Sequence, residues 1–156
     1  MQSLLVSHTQ RYHKHYRAGG HVWQGRFKSP VIQSDEHLLT VLRYIEPNPL
    51  RAEIVERAQD YPWSSYRAHG QGAADELLDR LVLYEQLSPY AAVRQRRWAK
   101  QVHLPLEGRT LAAIRRSLAT GLPYGADPWV QSLGKKLDLD LVIRPRGRPR
   151  RRDRAK

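Results

Sequence analysis

The segment from residue 34 to residue 51 constrains the fold more than any other part of this chain. Ser34 and Asp35 are good helix N-caps, and apolar residues then recur every three or four positions. The apolar positions are Leu38, Val41, Leu42 and Ile45. This spacing predicts an amphipathic helix that ends near Glu46, because Pro47 biases the preceding residue away from helical backbone. One face of this helix must pack on a core that the rest of the chain supplies.

A row of polar side chains runs beside that apolar face. The row consists of His37, Thr40, Tyr44 and Asn48. Tyr44 and Asn48 are four residues apart, and this spacing places two side chains on one face of a helix. A phenol can attack a phosphate and an amide oxygen can hold a metal ion, so the pair suits phosphate chemistry. The alternative interpretation is a tyrosine that packs on the core, followed by an Asn-Pro helix stop.

The formal net charge of +12 is concentrated at the two ends of the chain. Residues 1–28 contain five Lys or Arg and no acid, whereas residues 144–156 contain eight bases and one acid. The residues between them are neutral, with 14 bases and 14 acids. Basic ends favour a polyanionic partner, because phosphate contacts release counterions. These ends lack the apolar face of a membrane-surface helix, and no apolar run approaches the length of about 18 residues that a membrane span needs.

Residues 3–17 are predicted to form a basic helix that ends at Gly19 and Gly20. His13 and His15 have a His-x-His spacing, but side chains two positions apart on a helix point about 200° away from each other. They are therefore not expected to share a metal ion. Cysteine is absent, which excludes disulfides and thiolate metal sites.

Residues 22–33 have the composition of a β-strand. The aromatic residues Trp23 and Phe27 alternate with Arg26 and Lys28, and the two bases share one face by the two-residue period. Such a strand is suited to single-stranded DNA, with rings that stack on bases and cations that contact phosphates. The alternative is that both rings pack against the next helix.

The C-terminal half is predicted to be helical. After a turn at residues 60–66 and a linker at Gly70–Gly72, helical patterns cover about 74–87, 89–102, 110–120 and 127–138. The tail contains Arg146-Gly147-Arg148-Pro149, which resembles the core of an AT-hook, followed by Arg150. Arginines on a thin, extended segment can enter the minor groove of duplex DNA. A nonspecific basic tail is the alternative, and both interpretations predict DNA binding by a tail that is disordered when free.

Three segments together carry a family resemblance. They are His21–Ser29, Arg43–Ala52 and Pro62–Tyr66, and in this order the chain resembles the REP-associated tyrosine transposases. These are single-tyrosine, His-hydrophobic-His transposases, which nick and rejoin single-stranded DNA through a covalent phosphotyrosine link. The resemblance implies that Tyr44 is the nucleophile and that Asn48 is one ligand of a divalent metal, Mg or Mn. Arg51, in the same motif, is predicted to contact DNA.

The resemblance also implies a fold. We expect an α+β protein that is mostly helical, with one or two strands of an incomplete antiparallel ferredoxin-like sheet and a helical C-terminal region. Residues 1–69 would be the later part of the catalytic domain, residues 70–143 a helical accessory region, and residues 144–156 the basic tail. The family's His-hydrophobic-His strand would precede residue 1, so the chain is expected to be truncated at its N-terminus or to have a misplaced start.

The predicted function is therefore that of a transposase-family DNA-binding protein, and the absent histidine pair leaves open whether the chain is an enzyme. A noncatalytic protein that binds DNA or RNA is the alternative. The expected partner is single-stranded or hairpin DNA, with duplex DNA at the tail and no membrane. The expected location is the cytoplasm, at the nucleoid. The target sequence and the oligomeric state do not follow from the sequence.

Overall fold

The computed structural model describes residues 1–23, 25, 27–34 and 36–142, and helices dominate this part of the chain. The α-helices are α1 (Gln2–Tyr16), α2 (Glu36–Ile45), α3 (Asn48–Arg51), α4 (Tyr66–Gln71), α5 (Val82–Glu85), α6 (Ala91–His103), α7 (Gly108–Thr120) and α8 (Asp127–Lys136). A single 3₁₀ turn covers Ala58–Asp60. The helices predicted from the sequence at 3–17, 35–46, 89–102, 110–120 and 127–138 correspond to α1, α2, α6, α7 and α8.

Helix α2 is the element around which the core forms, because it contacts two separate buried clusters. The Trp98 cluster consists of Ala58, Tyr66, Trp98 and Val102, and the Ile114 cluster consists of Val41, Ile114 and Tyr124. Leu39 and Leu42 pack on the first cluster, while Val41 and Tyr44 belong to or pack on the second. The apolar stripe is thus divided between two partners. Its predicted last member, Ile45, is instead 49% exposed.

The Trp98 cluster joins α4 to α6, whose backbones pack closely. Trp98 is fully buried, and Tyr66 at the start of α4 is almost so. Gly72 ends α4 with a left-handed backbone at φ 76°, a conformation that glycine adopts without a steric penalty. These contacts link residues on both sides of the predicted domain boundary near residue 70, and that boundary stays a prediction.

The predicted α+β fold with an incomplete antiparallel sheet is wrong. Among the described residues there is no strand, and residues 22–33 make one isolated parallel bridge, between Ile32 and Tyr124. Two backbone hydrogen bonds support it, Gln33 N to Tyr124 O at 2.9 Å and Tyr124 N to Val31 O at 2.8 Å. Alternating β-prone residues define a face, but a strand also needs a neighbouring strand to accept its hydrogen bonds. The described chain offers this segment only the short connection between α7 and α8.

The helix predicted for residues 74–87 is also wrong over most of its length. Only Val82–Glu85 is helical, and residues 74–81 are irregular. Leu77 is 94% exposed, so the leucines that suggested a buried stripe do not all reach the core. A short helix becomes stable chiefly by burying an apolar face, and residues 74–80 are all exposed.

Helices α7 and α8 are joined by a tight connection. Gly121 ends α7 with a positive φ of 78°. A Cβ atom at Gly125 would lie 2.6 Å from the Trp129 ring and 2.7 Å from Gln33 Oε1, so only glycine fits there. This close approach lets Gln33 Oε1 accept a hydrogen bond from Ala126 N at 2.9 Å. The connection therefore fixes the start of α8 against the segment that precedes α2.

Candidate functional site

Tyr44 lies in the last turn of α2, and it is half-buried against the Ile114 cluster. Its ring contributes to packing, as the simpler interpretation of the sequence expects. The packing also limits the positions that the ring can take. The phenol is therefore carried by a helix whose opposite side is anchored in the core.

Asn48 does not continue helix α2. The last helical residue of α2 is Ile45, and Asn48 is the first residue of the short helix α3. Pro47 is buried in the turn between them, where proline cannot donate a backbone hydrogen bond. The polar row predicted from the sequence thus bends between Tyr44 and Asn48, and the Asn48 side chain is exposed.

Arg51 joins Tyr44 and Asn48 into one cluster. Its guanidinium group lies over the Tyr44 ring, 4.9 Å from the ring centroid. The same group donates to Asn48 Oδ1 at 2.6 Å and to the backbone carbonyl of Tyr44. Arg51 remains exposed, and a guanidinium presents several donors at once. The arrangement places a solvent-facing cation beside a phenol, which is a geometry that can receive a phosphate oxygen.

The divalent metal implied by the resemblance does not fit this arrangement. Asn48 Oδ1 already accepts a hydrogen bond from Arg51. In the described ranges, no three His, Cys, Asp or Glu side chains come together as a ligand set. A hard divalent cation requires several oxygen ligands, often charged, and a positive guanidinium next to the single amide oxygen opposes it. Mg or Mn at Asn48 stays a prediction from the resemblance.

Glu46 was not identified from the sequence, yet it forms the most extensive buried polar cluster in this region. Its carboxylate is fully buried. Ser65 Oγ donates to Oε1 at 2.8 Å, and Trp98 Nε1 donates to Oε2 at 2.7 Å. His69 Nδ1 lies 2.6 Å from Oε1. Ser65 lies in the Pro62–Tyr66 segment that carries part of the resemblance, whereas the pattern around Glu46 indicates only that a helix ends there.

Two tyrosines surround this carboxylate. Burial, and secondarily the negative charge of Glu46, raises the pKa of Tyr66 above its ordinary value. Burial likewise raises the pKa of Tyr84, although Arg94 over its ring at 5.2 Å acts in the opposite direction. Both phenols also have hydrogen-bonding partners, because Tyr84 Oη donates to the His69 carbonyl at 2.6 Å and Tyr66 Oη lies 3.3 Å from His103 Nε2. They are structural side chains of the core.

The other predicted DNA contacts lie apart from Tyr44. Trp23 and Phe27 are 44% and 50% exposed, so neither ring is in the core. Trp23 Nε1 donates to Thr9 Oγ1 at 3.0 Å, and its ring lies against His8 at 5.4 Å. Lys28 is exposed and donates to the carbonyl of Ala119 at the end of α7. Arg26, Arg146, Arg148 and Arg150 lie outside the described residues.

Within the described part of the chain, no helix is both long enough and apolar enough to span a membrane. No protein-family model matches the sequence. No solved structure matches it either.

One similarity to a known protein accompanies these observations. A stretch of 51 residues, 33% of this chain, is 41% identical to a Haemophilus influenzae protein whose name places it among the REP-associated tyrosine transposases. The stretch spans 28% of that protein. Part of this chain is therefore similar to a REP-associated tyrosine transposase.

Proposed function

We propose that this chain is a transposase-type DNA-binding protein in which Tyr44, Asn48 and Arg51 form a binding site for the phosphate backbone of single-stranded DNA. The observation that carries the proposal is the exposed Arg51 guanidinium, 4.9 Å from the Tyr44 ring centroid and 2.6 Å from Asn48 Oδ1. The similarity to a REP-associated tyrosine transposase and the basic N-terminal segment support the same partner.

In this site, Arg51 supplies the positive charge and Tyr44 supplies the surface on which it rests. An incoming phosphate would take donors of Arg51 other than those on Asn48 Oδ1 and the Tyr44 carbonyl, while Asn48 keeps the guanidinium in place. Charge-assisted hydrogen bonds to phosphate are among the stronger polar contacts that proteins make. The proposed site would therefore bind the DNA backbone without a metal ion.

The test is the affinity for a single-stranded oligonucleotide, measured by fluorescence anisotropy at one fixed salt concentration. Arg51→Ala should weaken binding about tenfold, equivalent to about 1.4 kcal/mol. The matched control is Arg57→Ala, which removes another exposed arginine, one that is paired with Asp60 at 2.9 Å. Equal losses in both variants would show that only net charge matters and would refute the site.

A second candidate function is the strand-nicking reaction of the similar transposase family. It is favoured by the accessible guanidinium next to a phenol. In that reaction the Tyr44 phenol would lose its proton to solvent and its oxygen would form a bond to phosphorus. The phosphorus–oxygen bond to one sugar would break, and that sugar oxygen would leave as a hydroxyl by taking a proton from solvent. We expect no covalent adduct from this chain alone, because Asn48 Oδ1 already accepts from Arg51 and, among the described residues, no three His, Cys, Asp or Glu side chains come together to hold a divalent metal.

The assay for the second candidate mixes the 156-residue chain with hairpin single-stranded DNA and either magnesium or manganese. A denaturant-stable protein–DNA adduct that disappears in Tyr44→Phe would establish the enzyme. An adduct that survives Tyr44→Phe would remove Tyr44 as the nucleophile. Noncovalent binding should be similar in Tyr44→Phe, since the ring under Arg51 is retained.

A further inference from the structure

The buried carboxylate of Glu46 occupies a particular position in the chain. It lies between Tyr44 and Asn48, in the turn where α2 ends and α3 begins. Its backbone N still donates to Leu42 O at 2.9 Å, so its own backbone remains tied to α2. Whatever holds this residue therefore holds the corner between the phenol and the amide.

The partners of the carboxylate come from distant parts of the sequence. Ser65 and His69 belong to the start and interior of α4, and Trp98 belongs to α6. The three contacts, at 2.6 to 2.8 Å, approach both carboxylate oxygens. Because they come from two elements, they restrain both the position and the rotation of the corner.

If Glu46 only filled space in the core, an apolar side chain would serve better than a carboxylate. Burial of a charged group is unfavourable unless it is paired and hydrogen-bonded, and an apolar side chain of similar size often stabilises a core as well or better. Directional hydrogen bonds, in contrast, define one orientation. Pro47, the next residue, restricts the corner further, because proline has no backbone N–H to donate and its ring fixes its own φ.

We infer that Glu46 is a positioning residue, whose anchored carboxylate sets the orientation of Asn48 and Arg51 relative to the Tyr44 ring. The consequence for DNA rests on the proposed function of that cluster. The geometric effect does not, since the corner exists without DNA.

The test is nuclear magnetic resonance of the full 156-residue chain without DNA. The readouts are the side-chain amide signals of Asn48 and the Nε–H signal of Arg51. In Glu46→Leu, the side chain has no acceptor, so the contacts from Ser65, His69 and Trp98 are all lost. We expect the Asn48 and Arg51 signals to shift in the folded protein.

The matched control is Val102→Ala. Val102 is 4% exposed in the Trp98 cluster, and its side chain makes no hydrogen bond. This variant should destabilise the fold and leave both signals in place. Unshifted signals in Glu46→Leu, or equal shifts in Val102→Ala, would overturn the inference. If Glu46→Leu does not fold, Ser65→Ala removes one donor only, and unshifted signals there would overturn it as well.

Affinity for single-stranded DNA, measured on the same samples, separates this inference from the proposed function. Shifted signals together with weaker binding would support both. Shifted signals with unchanged binding would support the positioning role of Glu46 and count against the phosphate site at Arg51.

Discussion

At the scale of single residues, two tyrosines lie at the Trp98 cluster: Tyr66 is a member of it, and Tyr84 packs against it. Tyr66 and Tyr84 both have a raised pKa, and burial is the main cause for each. When folding raises the pKa of a group, that group contributes to the free energy of unfolding. The contribution is fully present at pH values below the pKa of the unfolded state, which is about 10 for tyrosine. That contribution is lost as the pH rises through the raised folded value.

We therefore predict that the free energy of unfolding falls as the pH rises above about 10. Urea denaturation at several alkaline pH values measures this, and ultraviolet absorbance follows phenol ionisation in the same samples. Two tyrosines should ionise late, and Tyr66→Phe or Tyr84→Phe should each remove one of them. Ionisation of all tyrosines in one step near pH 10, while the chain is still folded, would contradict the prediction.

At the scale of elements, the N-terminal unit is helix α1 together with the segment after it. None of the residues of α1 is buried. The helix is connected to the following segment by the Trp23–Thr9 hydrogen bond and by the His8 and Trp23 rings. This unit also carries the basic N-terminal charge, so it presents aromatic rings and cations together, a combination that suits single-stranded DNA.

The prediction for this unit concerns Trp23 and Phe27. Trp23→Ala or Phe27→Ala should weaken binding of single-stranded DNA by about 1–3 kcal/mol and leave the thermal transition in place. Trp63→Ala is the matched control, because that indole is 84% exposed and lies outside the basic N-terminal segment. A collapsed thermal transition in Trp23→Ala would show that the ring is structural, and equal affinity losses in Trp63→Ala would show a nonspecific effect.

At the scale of the whole molecule, the residues that form the core and the residues that carry the excess charge lie in different parts of the chain. The core clusters draw on residues 32–124, whereas the excess positive charge lies in residues 1–28 and 144–156. A neutral body between two basic ends can bind a polyanion at either end without changes in its core.

We predict that deletion of residues 144–156 weakens duplex DNA binding and reduces its dependence on salt, because eight of these thirteen residues are basic. Each lost phosphate contact should lower the slope of log affinity against log salt by about 0.9. Titrations at several salt concentrations measure both effects. An unchanged affinity and slope would exclude the tail as a DNA contact, and a preference for A·T duplex that is lost in Arg148→Ala would identify minor-groove binding.

Local sequence was sufficient to determine several features of this protein. Period and capping predicted α2 within one residue at each end, and Pro47 predicted its termination, because these effects act within a single turn of helix. The composition also determined where the charge lies. The Tyr44, Asn48 and Arg51 motif was visible as a spacing.

Only the tertiary structure decided what these residues contact. Residues 22–33 look like a strand, but a strand requires a partner elsewhere in the chain, and the described residues supply one bridge. The local pattern indicates only that a helix ends near Glu46, yet the carboxylate of Glu46 accepts a hydrogen bond from Trp98, 52 residues away, in the core. The physical reason is that local patterns select a backbone conformation and an apolar face, while burial and hydrogen bonding depend on which distant surfaces pack together.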